Sequence, residues 1–375
     1  MTRTLVVTND FPPRPGGIQA FVHSLVVRQP AGSVVVYAST SPGSPAFDAA
    51  QAFPVVRYPG SMLLPTPAVA RTVSALARTE GCDSVLFGAA APLGLLAPSL
   101  RASGVRRLVA LTHGHEVGWA ALPGARALLR RIGASVDVVT YLGEYTRSRL
   151  AVALGPSVRL ERLAPGVDAT MFSPSVDGSA VRTRLGLARR PVVVCVSRLV
   201  ARKGQDTLIQ ALPLIRSAVP DAALLLVGGG PDQPRLQRLV VECGVADDVV
   251  FTGSVPWPDL PAHYAAGDVF AMPCRTRRRG LDVEGLGMVY LEGSATGLPV
   301  VAGDSGGAPD AVLDGETGSV VDGRSVPAVA QAVSGLLADP TLARAMGDKG
   351  RAWVERDWRW DTVAARLGAL LSEPE

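Results

Sequence analysis

Short apolar runs alternate with helical stretches along the whole chain. In the first half the runs predict strands at Leu5–Thr8, Val34–Ala38, Val85–Phe87, Leu108–Leu111 and Val136–Thr140. In the second half they predict strands at Val192–Val196, Ala223–Val227, Val249–Thr252, Val269–Met272 and Val300–Ala302. Helical patterns separate many of them, as in Gln205–Ala218 and Pro234–Cys243. This rhythm predicts an α/β protein whose parallel sheets carry helices on both faces. The Pro165-Gly166 pair divides it into two doubly wound, Rossmann-like domains, 1–165 and 166–353. Ligands of such sheets bind outside the carboxyl ends of the strands, so two facing domains would share a cleft there.

A chain of 375 residues, 47% of them hydrophobic, supports two cores of ordinary size. The forty Gly and thirty Pro are spread among short loops, so no disordered tract is expected. The richest apolar run, Val85 to Leu96, is too short and Gly-broken to span a membrane. The first residues lead into a strand without a basic head and apolar signal core, and a cytoplasmic protein is expected. Cys82, Cys195, Cys243 and Cys274 show no metal-ligand spacing, the four His are His23, His113, His115 and His263, and no Asp-x-Asp occurs. No metal site and no cofactor are expected.

Charge is distributed unevenly. Residues 1–165 carry sixteen Arg, no Lys and eight acids, whereas the remainder carries twenty-one bases and twenty-five acids. The basic half suggests an anionic partner. Arg101, Arg106, Arg107, Arg126, Arg130 and Arg131 make most of the clustering. No basic run with interleaved aromatics points to nucleic acid. A helix from about Pro123 to Ala134 would set Arg126, Arg130 and Arg131 beside Leu128, Leu129 and Ile132, a basic amphipathic surface of the kind that rests on anionic membranes. The plain alternative is a core-packed helix whose Arg face meets only water.

Two acids and two bases carry the chemistry. Glu284 and Glu292 lie eight positions apart, and Arg198 and Lys203 leave the end of the Val192–Val196 run. Fixed cations suit a diphosphate, because a leaving nucleoside diphosphate gains negative charge as the glycosidic bond breaks. Glu284 falls in a Gly-rich loop, and a helix is expected to begin near Gly287, so that backbone N–H groups over Gly285, Leu286, Gly287, Met288 and Val289 would face the phosphates. Glu292, inside that helix, would accept hydrogen bonds from a ribose. Each residue alone reads as a surface charge. Together, at strand ends and a helix start, they describe a nucleotide-sugar site. Pro15-Gly16-Gly17 follows the first strand and precedes a helix, a second place where backbone could approach an anion.

The Glu284-to-Glu292 spacing and the Arg198–Lys203 pair resemble the signature of the retaining glycosyltransferases of family 4. The resemblance covers almost the whole chain. Thr8-to-Gln19 resembles the family's N-terminal glycine loop, Pro165-to-Pro174 its interdomain segment, and Gly303-to-Pro309 its late C-terminal loop. More narrowly, Asn9-Asp-Phe-Pro-Pro13, Gly88-Ala-Ala-Ala-Pro92, Thr112-to-Trp119 and Gly280-to-Gly287 resemble the actinobacterial mannosyltransferases that add the second mannose to phosphatidylinositol mannoside.

The resemblance implies a GT-B architecture whose last helix, about 354–375, packs back on the first domain. It implies GDP-mannose as donor and phosphatidylinositol monomannoside as acceptor, joined by an α-1,6 linkage at the cytoplasmic face of the plasma membrane. Arg198 and Lys203 would then hold the diphosphate, Glu284 the mannose hydroxyls, Gly17 the donor phosphate and the backbone at Val255 the guanine. Asp10, Gly16, Gln19 and His115 would face the acceptor. His113 would help hold the transferred sugar, with His115 its competitor. A covalent route to retention needs a carboxylate against the anomeric carbon; none is evident, and front-side transfer is expected. Another donor or acceptor, or a sugar-nucleotide epimerase of the same architecture, is the alternative. Arg277-Arg278-Arg279-Gly280 departs from the family's glycine-rich loop.

Overall fold

The structure, a computed structural model, describes residues 3–280 and 282–372. Leu281, residues 373–375 of the expected last helix, and the side chain of Arg279 lie outside them. The chain forms two compact units, one from residues up to Gly166 together with those from Trp360 on, the other from Val167–Arg359.

In the first unit, strands β1 (Thr4–Thr8), β2 (Val34–Ser39), β3 (Val55–Tyr58), β4 (Ser84–Phe87), β5 (Arg107–Ala110), β6 (Val138–Tyr141) and β7 (Arg159–Arg162) form one sheet. Its order is β3-β2-β1-β4-β5-β6-β7, and every pairing is parallel. Helices α1 (Gly17–Val26), α2 (Ser44–Ala49), α3 (Pro67–Thr79), α4 (Ala97–Ala102), α5 (Glu116–Ala121), α6 (Pro123–Gly133) and α7 (Glu144–Leu154) belong to the same unit. Central strands are buried on both faces, as their unbroken apolar runs require. The edge strands β3 and β7 are only partly buried and carry Arg57, Arg159 and Glu161.

The second unit repeats the plan. Strands β8 (Val192–Val196), β9 (Ala223–Val227), β10 (Val249–Gly253), β11 (Val269–Met272), β12 (Val300–Gly303) and β13 (Gly318–Val321) form a parallel sheet in the order β10-β9-β8-β11-β12-β13. Its helices are α8 (Ser179–Arg184), α9 (Gln205–Ala218), α10 (Gln233–Glu242), α11 (Leu260–Ala265), α12 (Met288–Ala295), α13 (Val326–Ala338) and α14 (Pro340–Asp357). Asp339 caps α14, its carboxylate accepting the N–H groups of Thr341 and Leu342 at 3.1 and 3.0 Å.

The chain then re-enters the first unit through α15 (Trp360–Ser372). There Trp360 packs on Phe21 with ring centroids 6.1 Å apart, and Arg107 Nε donates to the Leu370 carbonyl at 2.9 Å. Each sheet reverses its strand order once, between β1 and β4 and between β8 and β11. Beyond the carboxyl ends of strands at such a reversal, open α/β sheets leave room for a ligand. Among the described residues, no helix is long and apolar enough to cross a membrane.

Candidate active site

At the reversal in the second sheet, Ser197 and Arg198 leave the end of β8. Their loop is held from two sides. Gly228 and Gly230, beyond β9, lie so close that a Cβ on either would come 2.2 Å from the carbonyl of Ser197 or Leu199. From the other side the fully buried Gln205 donates through Nε2 to Ser197 Oγ at 2.8 Å and to the Arg198 carbonyl at 3.1 Å. The backbone is thus fixed while the Arg198 side chain stands exposed, with no ion-pair partner among the described residues. Gly204, at φ 79°, opens α9 where a Cβ would lie 1.9 Å from the Pro273 carbonyl beyond β11. Only glycine suits both that conformation and that contact. Lys203, just before it, is 9% exposed and directs Nζ to within 2.7 Å of Glu284 Oε2.

Glu284 is held through its backbone as well. Its N–H donates to Ser305 Oγ at 3.3 Å, and its carbonyl accepts the Gly307 N–H at 2.9 Å. Opposite charges then interleave. Arg202 Nε lies 3.7 Å from Glu284, Arg202 Nη1 lies 3.6 Å from Asp282, and Arg277 Nη1 lies 3.8 Å from Asp282. Arg277 and Asp282 also exchange backbone hydrogen bonds, and Arg278 between them has φ 48°. The segment that departs from the glycine-rich pattern is therefore a cross-bonded turn.

Gly287, at φ 80°, caps α12, whose first-turn amides at Met288 and Val289 have no helical acceptor and stand at the positive end of the helix. In the next turn, buried Glu292 accepts a 2.5 Å hydrogen bond at Oε2 from the Tyr264 hydroxyl. Burial pushes the Glu292 carboxyl up to about 7, and the Tyr264 hydrogen bond opposes that rise. Val255 is half-buried just beyond β10, and two residues on Trp257 sets its ring 5.5 Å from Phe172.

At the reversal in the first sheet the contacts are mostly neutral. A Cβ on Gly88, beyond β4, would lie 2.3 Å from Thr8 Oγ1 at the end of β1. Asn9 binds Leu63 twice, donating to its carbonyl at 2.9 Å and accepting its N–H at 2.5 Å. Gln19 Nε2 donates to Asp10 Oδ1 at 2.7 Å, and a Cβ on Gly16 would strike Gln19 Oε1 at 2.0 Å. A Cβ on Gly17 would meet nothing within 4 Å, so the start of α1 is open.

His113 Nε2 lies 2.5 Å from the Gly88 carbonyl, and its backbone N–H donates to Glu116 Oε2 at 3.0 Å. Burial lowers the imidazole pKa, against the pull of Glu116. A carbonyl only accepts, so the neutral ring carries its proton on Nε2 and keeps a lone pair on Nδ1. His115 is exposed, with Nε2 3.4 Å from Glu116 Oε1.

Of the residues singled out in the sequence, Lys203 and Glu284 meet directly, and Arg198 leaves the same strand end as Lys203. Asp10 and Gln19 meet in the first unit. The two histidines differ in setting: His113 is bonded inward and His115 faces out. Several partners escape a reading by type and spacing: Gln205, Arg202, Tyr264, Glu116 and the run Gly228-Gly229-Gly230. Only that run left a visible signal, three glycines directly after a strand. One expectation is corrected. Leu129 and Ile132 of α6, 1% and 0% exposed, belong to the core, leaving Leu128 beside the exposed Arg126, Arg130 and Arg131.

Comparison with known proteins agrees with this fold. Residues 15–170 match the family described as Glycosyltransferase Family 4, and residues 181–353 match Glycosyl transferases group 1. The chain is 56% identical to the GDP-mannose-dependent alpha-(1-6)-phosphatidylinositol monomannoside mannosyltransferase of Mycolicibacterium smegmatis, covering 98% of each chain. It is 55% identical to the protein of the same name in Mycobacterium tuberculosis, over 99% of this chain and 98% of that one. Among solved structures, Anabaena HepE in complex with UDP has a TM-score of 0.80 at 21% identity, covering 99% of this chain and 100% of its own. At that identity the likeness concerns the fold, which is GT-B.

Proposed function

The chain belongs to glycosyltransferase family 4, and from that premise we propose that it moves mannose from GDP-mannose to phosphatidylinositol monomannoside, forming an α-1,6 linkage with retention. Donor and acceptor are carried over from the names of relatives that match it along nearly its whole length. One observation in the structure supports the site assignment above the others. A buried Lys203–Glu284 pair, 2.7 Å apart, stands at the sheet reversal in the second unit.

Lys203 and the unpaired Arg198 bind the diphosphate and stabilise the charge that grows on it as the sugar leaves. The amides from Gly285 to Val289 supply further donors at the α12 start. Glu284 orients the mannose hydroxyls and holds Lys203 in place. Glu292 receives the ribose, and the backbone at Val255 receives the guanine. In the first unit, Asp10, Gly16, Gln19 and His115 hold the acceptor, Gly17 approaches the donor phosphate, and His113 supports the transferred sugar. The acceptor hydroxyl oxygen bonds to the anomeric carbon as the carbon–phosphate oxygen bond breaks on the same face. Its proton passes to a phosphate oxygen, and positioning with electrostatics supplies the catalysis.

A lipid acceptor stays in its bilayer, so we place the protein peripherally on the cytoplasmic membrane face. The exposed Arg126, Arg130 and Arg131 of α6 support this. A product assay with several sugar nucleotides and lipid acceptors tests the reading. Mannosylated phosphatidylinositol monomannoside from GDP-mannose is the expected product. Transfer from another donor, or conversion of the donor without any acceptor, would replace it.

A further inference from the structure

We propose that Tyr264 is a positioning residue for donor binding, its hydroxyl holding the Glu292 carboxylate in the orientation that receives the nucleotide's ribose. The inference rests on the reading of Glu292 as the ribose acceptor. It adds a residue 28 positions upstream, on another helix, that no spacing rule connects to it.

The geometry is over-determined. Tyr264 is fully buried in α11, its ring stacked on Phe270 at 5.6 Å and met edge-on by Phe172 at 5.4 Å. Phe172 is fixed in turn, because Arg351 Nη1 on α14 lies within hydrogen-bond reach of the carbonyls of Ala169, Phe172 and Ala295 at 2.8, 2.7 and 2.8 Å. Ala295 is the last residue of α12, the helix that carries Glu292. One guanidinium thus ties the segment beneath Tyr264 to the helix beneath Glu292. The hydroxyl has little freedom to leave Oε2, while Oε1 keeps its own acceptor capacity for a ligand.

A buried tyrosine hydroxyl needs some partner, and a structural hydrogen bond would satisfy it equally. The two roles separate in the pH dependence. Among the described residues Tyr264 on α11 is the titratable group acting on Glu292, and Cys195 on β8 is a further one acting on Tyr264. A ribose hydroxyl donates best to the ionised carboxylate, so affinity for GDP should fall as pH drops through about 7. Removing the hydroxyl removes a bond that lowers this pKa, so the fall should begin at higher pH.

The experiment is GDP titration calorimetry across pH on the full chain and on Tyr264→Phe, Glu292→Gln and the double variant. Tyr264→Phe keeps the buried ring, and retained circular dichroism below its melting temperature shows that it is folded. It should bind GDP about tenfold more weakly at pH 7, the scale of one hydrogen bond to a charged group. Its midpoint should move to higher pH, and its effect should vanish in the Glu292→Gln background. Parent-like affinity and midpoint in Tyr264→Phe, with Glu292→Gln still weakened, would overturn the inference and leave the ribose assignment intact. Parent-like GDP binding by Glu292→Gln would overturn the ribose assignment itself, and Tyr264's positioning role with it.

Discussion

The two sheet reversals do the same topological job with different chemistry. In the second unit, side chains are held by charge, with Lys203, Arg202 and Arg277 alternating with Glu284 and Asp282. In the first unit, the contacts run chiefly through amides and an imidazole, with Asn9 on the Leu63 backbone, Gln19 on the Asp10 side chain and His113 on the Gly88 carbonyl. A diphosphate that gains charge in the transition state calls for fixed cations, and acids among those cations keep them oriented before substrate arrives. A neutral sugar hydroxyl calls for shape and hydrogen bonds. The contrast fits the proposed division, in which charge develops in one unit and the other aligns the acceptor.

The sharpest way to break this contrast is to remove a cation. Lys203→Ala or Arg198→Ala should lower turnover by ~10²-fold or more in a product assay, with the fold retained. The two need not be equal, because Lys203→Ala also leaves the buried Glu284 with Arg202, 3.7 Å away, in place of its 2.7 Å partner. Wild-type-like turnover in both would remove the diphosphate assignment. Next in size, Gln19→Ala should raise the KM for the lipid acceptor by about tenfold while GDP affinity stays at the parent's value. Weakened GDP binding instead would mean that the first unit also serves the nucleotide.

A smaller effect concerns stability. Glu292 has a folded pKa of about 7, above the ordinary 4.5. Its contribution to stability is therefore complete below about pH 4.5 and is lost as pH rises through 7, where a charge must be buried. Glu292→Gln should melt higher than the parent at pH 8, by roughly 1–3 kcal/mol of stability, and show little gain at pH 5. A lower melting temperature at pH 8 would mean that the carboxylate stabilises the fold. The smallest effect lies at the membrane. Replacing Arg126, Arg130 and Arg131 by Gln should reduce sedimentation with anionic vesicles, by ~1 kcal/mol per residue at most, and less as salt is added. Equal binding of parent protein to neutral and anionic vesicles would exclude α6 as an electrostatic anchor.

The parts of the fold that could be read directly were those in which one segment explains itself. The buried strands β1, β2, β4, β5, β6, β8, β9, β11 and β12 stand out as apolar runs, as does the half-buried edge strand β10, and α9 follows the expected Gln205–Ala218 span. Strands β3, β7 and β13 did not stand out, because each is a part-exposed sheet edge too short or too polar to make an apolar run, whereas the edge strand β10 keeps Val249-Val250-Phe251. The site divides the same way. Lys203, Glu284 and Glu292 are charged residues at strand and helix ends and were visible by type and spacing. Gln205 and Tyr264 act on groups that only folding brings near them, and neither type announces such a role. Leu129 and Ile132 show the converse: an apolar stripe on a helix reads alike whether it faces a bilayer or a core.

The edge strands have a consequence for how the protein behaves in a crowded solution. Each sheet is open, so β3, β7, β10 and β13 all present backbone on which another chain could template a strand. On β7 that invitation is answered by Arg159, Glu161 and Arg162, with Arg159 Nε 2.7 Å from Glu161 and Arg366 of α15 reaching the same carboxylate at 3.6 Å. These charges are none of the proposed substrate contacts, and charged side chains on an edge strand oppose strand-to-strand association. A variant stripped of them could keep its turnover and still be lost to the pellet, which makes soluble yield, rather than rate, the property this edge governs.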